Sequence, residues 1–207
     1  MMPLDVNDPS VVLNPRPAAS LDAMELRFLL VLLERRGLLE TEALTFLSSP
    51  EIKQLQDAGF VFCFHSLLGQ VVAPNLQAFR LIQPNRYSLY SIDQTVQRVY
   101  QELFLRFLRE QGYHLKTGLE GEVLAEVFPH PGTWKVFCSL RGWSPVVVRE
   151  VYWKKVPDQL GMLYGYSVGR RLSAQVLQST LAQQHTRVIK VGLPELTSLA
   201  SSPPSGF

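Results

Sequence analysis

The chain has 207 residues, 46% of them hydrophobic and 18% charged, with a formal net charge of +2. That length carries one large domain or two small ones and buries a core without staples. It holds no uninterrupted apolar run of about eighteen residues, so no membrane span is expected. The charge is unevenly spread: residues 1–97 carry seven Lys/Arg against ten Asp/Glu, and residues 98–207 carry thirteen against eight. A search for phosphate contacts therefore has to weigh the second half at least as heavily as the first.

Residues 1–19 are rich in Pro and Asn and read as an arm. They lack a basic stretch followed by an apolar one, so no signal peptide is expected and the expected location is the cytoplasm. Ser20 is the expected cap, with Asp22 in the first turn, of a helix over 21–36 that stops at Gly37. That helix is apolar on nearly every side and is expected to be the buried centre of its domain or part of a dimer interface. A short helix follows over 41–47. Ser49, Pro50 and Glu51 then supply cap, first-position proline and first-turn acid for a third helix, stopped by Gly59.

The aromatic and β-branched run from Phe60 to Phe64 predicts a strand, Ser66 to Gly69 a turn, and Gln70 to Ala73 the return strand. A second strand pair is predicted over 80–82 and 87–90, flanking the turn at Gln83 to Arg86. Three helices followed by a β-ribbon is the winged helix-turn-helix order, predicted for residues 20–91. Ser91 and Gln94 form a capping-box pattern for a linking helix over 92–112, stopped by Gly112.

For residues 113–197 the patterns predict strands at 121–128, 134–140 and 145–153, a helix from Pro157 to about 183, and a strand at 187–191. The alternation of Val123, Ala125 and Val127 with Glu122, Leu124 and Glu126 gives the first of these strands one buried and one mostly wet face. The expected fold class is thus α+β: an N-terminal winged helix and a smaller α/β half of order α-β-β-β-α-β. Residues 198–207 read as a disordered tail.

In a winged helix the third helix enters the major groove and the wing touches the backbone. Lys53, Gln54 and Gln56 are the candidate base-reading residues, glutamine favouring adenine. Glu51 and Asp57 on the same helix oppose phosphate. Arg80, Arg86 and Tyr87 lie where a wing would be placed. In the second half, Lys154, Lys155, Arg170 and Arg171, joined by Arg187 and Lys190, are the candidate phosphate contacts. Gly161, Gly165 and Gly169, four residues apart on the predicted helix, leave a smooth face for close intramolecular packing or a homodimer.

A magnesium nuclease of the restriction-endonuclease type needs an acid on one strand and Glu-x-Lys on the next. The nearest candidate, at Glu150, has Tyr152 where the lysine belongs. Cys63 and Cys138 read as core residues, the four histidines are scattered, and no metal or cofactor is expected.

The winged helix ending in Leu55, Gly59, Phe60 and Val61, the segment Asn85 to Leu89, the long linking helix and the endonuclease-like strand order together resemble the bacterial replication-relaxation proteins. That resemblance implies a role in plasmid or mobile-element replication or transfer, with the second half as a binding scaffold. The leading expectation is a non-catalytic DNA-binding regulatory or replication-associated protein, dimeric, on duplex or single-stranded DNA. A protein-interaction adaptor and a divergent metal-dependent nuclease are the alternatives.

Overall fold

The computed structural model describes residues 20–82, 90–117, 123–126, 133–144, 146–148, 161–169 and 186–201. The fold is mixed α+β in two units, one formed by residues 1–99 with 200–207 and the other by residues 100–199. Among the described residues no helix is long and apolar enough to cross a membrane.

The first unit begins with α1 (Ala23–Arg35). Its cap is Asp22, not Ser20: the Asp22 Oδ1 accepts from the Glu25 N–H at 2.8 Å, and the Glu25 carboxylate accepts from the Asp22 N–H at 2.9 Å. This capping box outcompetes Ser20 because the acid three residues into the helix can answer only from Asp22. One stripe of α1, including Phe28, Leu29 and Leu32, is buried, while Met24 (48%) and Leu30 (52%) are exposed, so the helix is not enclosed on all sides. Arg36 ends it in the left-handed conformation at φ 67°, one residue before the predicted stop, and lays its guanidinium 4.3 Å from the centre of the Tyr90 ring.

β1 (Leu38–Leu39), α2 (Glu40–Ala43) and α3 (Ser49–Asp57) follow. The Arg35 guanidinium donates to Glu42 at 2.5 Å, pinning α2 to the end of α1. Ser48, one residue ahead of the predicted cap, starts α3 by donating its N–H to the Glu51 carboxylate at 2.6 Å. Beyond Gly59, β2 (Val61–Ser66) and β3 (Gly69–Pro74) form an antiparallel hairpin, and β1 pairs with the other edge of β3. The sheet order is β1-β3-β2. Phe28, Leu32, Leu55, Val61, Val72 and Ala78 are among the residues that fill the core.

Residues 80–82 are not a strand. They end α4 (Leu76–Ile82), begun at Asn75, whose side-chain oxygen accepts from the Leu76 N–H at 2.7 Å. The predicted turn at Gln83 to Arg86 and residues 87–89 of the predicted second strand lie outside the described residues, and Tyr90 is not in a strand. The predicted linking helix is present as α5 (Ile92–Glu110), with both bonds of the Ser91–Gln94 capping box formed and Gly112 beyond its end at φ 83°. It crosses the division between the units at Val99 and Tyr100.

The second unit contains a five-stranded sheet of order β4-β5-β6-β7-β8: β4 (His114–Thr117), β5 (Val123–Glu126), β6 (Thr133–Arg141), β7 (Gly161–Val168) and β8 (Thr186–Lys190). The first two pairings are antiparallel and the last two parallel. Three expectations are corrected. β4 is an additional strand. Residues 146–148 are helical where a strand was predicted, the rest of that stretch lying outside the described residues. Gly161 and Gly165 lie in β7 and Gly169 just past it, so residues 161–168 are a strand where a helix from Pro157 to about 183 is predicted, the rest of that stretch apart from Gly169 lying outside the described residues. α6 (Leu193–Ser198) runs into a 3-10 turn over Leu199–Ser201, so the predicted tail is ordered at its start.

Candidate nucleic-acid interface

α3 buries Ile52 and Leu55 and turns the opposite face outward, because apolar residues recur only at that spacing. Lys53 and Gln54 are exposed on this outer face and Gln56 is half-buried at its flank. The Lys53 ammonium is paired with Asp57 at 2.5 Å, one helical turn away. An exposed pair of this kind contributes about 0.3–0.5 kcal/mol, little enough to be exchanged for a phosphate. The hydrogen bonds that Glu51 accepts from the Ser48 hydroxyl and N–H hold its carboxyl below the usual range, so it stays ionised on this helix.

The hairpin after α3 turns through Leu67 and Leu68. Ser66 Oγ accepts from the Leu68 N–H at 3.1 Å and donates to the Gly69 carbonyl at 2.9 Å, while Gly69 takes φ 108°. Its tip carries exposed Leu67 (55%) and His65, with no lysine or arginine from Val61 to Pro74. Arg80 is exposed on the last turn of α4 and not in a strand. Arg86, Tyr87, Lys154, Lys155, Arg170 and Arg171 lie outside the described residues, as does Glu150.

The three glycines serve close packing within the second unit. A Cβ on Gly165 would come within 2.0 Å of the Phe104 ring, one on Gly161 within 2.9 Å of the Trp134 indole, and one on Gly169 within 3.1 Å of the Tyr166 ring. Their four-residue spacing places all three on one face of a helix, but in a strand it also places them on one face, since four is a multiple of two.

Cys63 and Cys138 are buried free cysteines. Burial, with a smaller push from Glu40 and an opposing pull from Lys53, raises the Cys63 thiol to about 11, which keeps it protonated and unreactive near neutral pH. Among the described residues, no three His, Cys, Asp or Glu side chains gather closely enough to hold a metal ion. Hydroxyls on β6, β7 and α5 converge: Tyr164 meets Ser139 at 2.6 Å, and Ser167 donates to Tyr100 at 3.2 Å. Burial raises Tyr100, Tyr164 and Tyr166 above the usual phenol range, so all three remain neutral.

Arg141, at the end of β6, is a further exposed basic residue beyond the candidates read from the sequence. Its signal was the Arg141-Gly142 pair closing an apolar run, the usual mark of a strand reaching the surface. Comparison with protein-family models, curated proteins and solved structures returns no match for the chain.

Proposed function

We propose that the protein is a non-catalytic DNA-binding protein, regulatory or replication-associated, whose first unit is a winged helix. The observation that carries this reading is the arrangement of α1, β1, α2, α3, β2 and β3 around a sheet of order β1-β3-β2. It supports a third helix presented outward, with a hairpin beside it, as groove-reading winged helices require. Lys53 and Gln54 are the exposed contacts on that helix. The basic second half supplies sequence-independent attraction. The likeness of the Leu55, Gly59, Phe60 and Val61 stretch and of the long helix after it to replication-relaxation proteins points the same way.

Gel shifts on duplex and single-stranded DNA across a salt series test this reading. Binding that weakens steeply with salt is expected, and Lys53→Gln should lower duplex affinity several-fold. Absence of binding at low salt would sink it.

A second reading, a protein-interaction adaptor, is favoured by the apolar groups exposed on the first unit: Met24 and Leu30 on α1 and Leu67 at the hairpin tip. Under that reading Leu30→Glu abolishes self-association or partner capture and leaves nucleic acid unaffected.

A further inference from the structure

We propose that the carboxyl end of the parallel strands β6, β7 and β8 binds a phosphate group through Arg141, Lys190 and the hydroxyl of Tyr166. Where parallel strands end together, register decides which side chains lie beside one another. Here the register sets Ser139 beside Tyr166, and Tyr166 beside Lys190, so three side chains stand abreast on one face. Arg141, two residues beyond Ser139, returns to that face. With strands about 4.8 Å apart and a rise of about 3.3 Å per residue, its Cα lies roughly 10 Å across and 7 Å along from that of Lys190, within joint reach of two long side chains.

The backbone at this end is set by buried groups. Ser139 donates its hydroxyl proton to the Arg141 carbonyl at 2.6 Å, so the proton shared with Tyr164 comes from the phenol. The Tyr164 oxygen in turn accepts from the Trp143 N–H at 3.1 Å. The Gly142 N–H donates to the Val168 carbonyl at 2.7 Å. Both strand ends are thereby held before any ligand arrives.

The side-chain donors at this end remain under-used. Tyr166 is buried and its hydroxyl has no hydrogen-bond partner among the described residues. It lies beneath Gly142, where a Cβ would come within 2.7 Å of the ring. Lys190 is exposed and spends one donor on the Gly169 carbonyl at 2.9 Å, leaving two, with its ammonium 6.0 Å from the Tyr166 ring centre. Arg141 is exposed as well. Among the described residues that follow β8, the acidic side chain is Glu195 in α6.

A guanidinium, an ammonium and a neutral phenol are all donors, so the complementary ligand is an anion with several acceptor oxygens. A phosphate ester fits, and its source is either a nucleic-acid backbone or a free phosphate. The backbone source rests on the function proposed above, whereas the site itself does not.

The test uses the full-length protein and the variants Arg141→Gln, Lys190→Gln and Tyr166→Phe, each checked for folding by circular dichroism. Affinity for duplex DNA, single-stranded DNA and a hairpin RNA is measured across a salt series, and inorganic pyrophosphate is titrated by NMR. Each charge variant should reduce the salt slope by about one. Tyr166→Phe should weaken binding several-fold with the slope unchanged, a pattern that general loss of structure would not give. If the wild type binds nucleic acid and both charge variants keep its affinity and slope, the site is overturned and the proposed function stands. If nucleic acid fails to bind but pyrophosphate shifts the β6 and β8 resonances in a manner lost in Lys190→Gln, the site stands with free phosphate as its source. Failure of both ligands overturns both proposals.

Discussion

The two units handle polar groups in opposite ways. The first keeps them at helix starts, where Asp22 with Glu25 and Ser48 with Glu51 close capping boxes around an apolar core that includes Phe28 and Phe60. The second places hydroxyls inside, where Ser139 with Tyr164 and Ser167 with Tyr100 bridge buried strands and α5. Caps satisfy the backbone groups a helix leaves open and tolerate water. Interior hydroxyls must be matched within the protein, and losing one partner costs about 1–3 kcal/mol. Stability in the first unit should therefore follow apolar volume, and in the second the close fit of ring, hydroxyl and glycine.

The largest expected effect sharpens this contrast in the first unit. Phe28 is wholly buried, and Phe28→Ala should cost about 3–5 kcal/mol in urea unfolding followed by far-UV circular dichroism. All three tryptophans, Trp134, Trp143 and Trp153, belong to the second half, so their fluorescence should shift much less. Equal shifts in both signals would break the comparison, since the two units would then unfold as one.

Next in size is Gly165→Ala, which drives a methyl into the fully buried Phe104 ring. Overpacking of this kind costs about 1–3 kcal/mol, and here tryptophan fluorescence should report it first. Adding Phe104→Leu should recover part of the loss. If Gly165→Ala alone is neutral, glycine does not set the fit of that strand.

The smallest effect is one of pH. The folded state holds the Cys63 proton up to about 11, against 9.0 for a free thiol. The unfolded chain thus releases it earlier, and stability is lost as pH rises through that window. Cys63→Ala should flatten the fall between pH 9 and 11 in thermal melts. Steeper loss above pH 10 should persist, because the raised Tyr100 and Tyr164 phenols act in the same direction.

Much of the first unit was legible because its boundaries carry chemical punctuation. Pro50, Gly59, the Ser66–Gly69 turn and the Ser91–Gln94 box each act through the nearest few residues, which is the range a sequence pattern can see. Arg80 lies on a helix instead of a strand because Leu76 to Ile82 is too short to display a helical period and its start rests on a single asparagine, Asn75. β7 differs from its expected helix for another reason. A parallel strand buried on both faces shows no alternation, and every residue from Gly161 to Ser167 is buried, so its apolar run with glycines four apart mimicked a helix. The candidate phosphate site was the least legible part. Arg141, Tyr166 and Lys190 meet only through the registers of β6, β7 and β8, which depend on contacts far apart in the chain.

The continuity of α5 bears on how the protein can be dissected. A fragment begun at Tyr100 would discard Ser91, Gln94 and the first two turns, leaving Tyr100–Glu110 without its capping box and at a length marginal for a helix in water. A fragment ended at Val99 would expose the last carbonyls of a truncated helix with no glycine to close it. The two halves are thus genetically separable only with overlap: each expression boundary has to include the whole stretch from Ser91 to Gly112, so that the same helix is written twice.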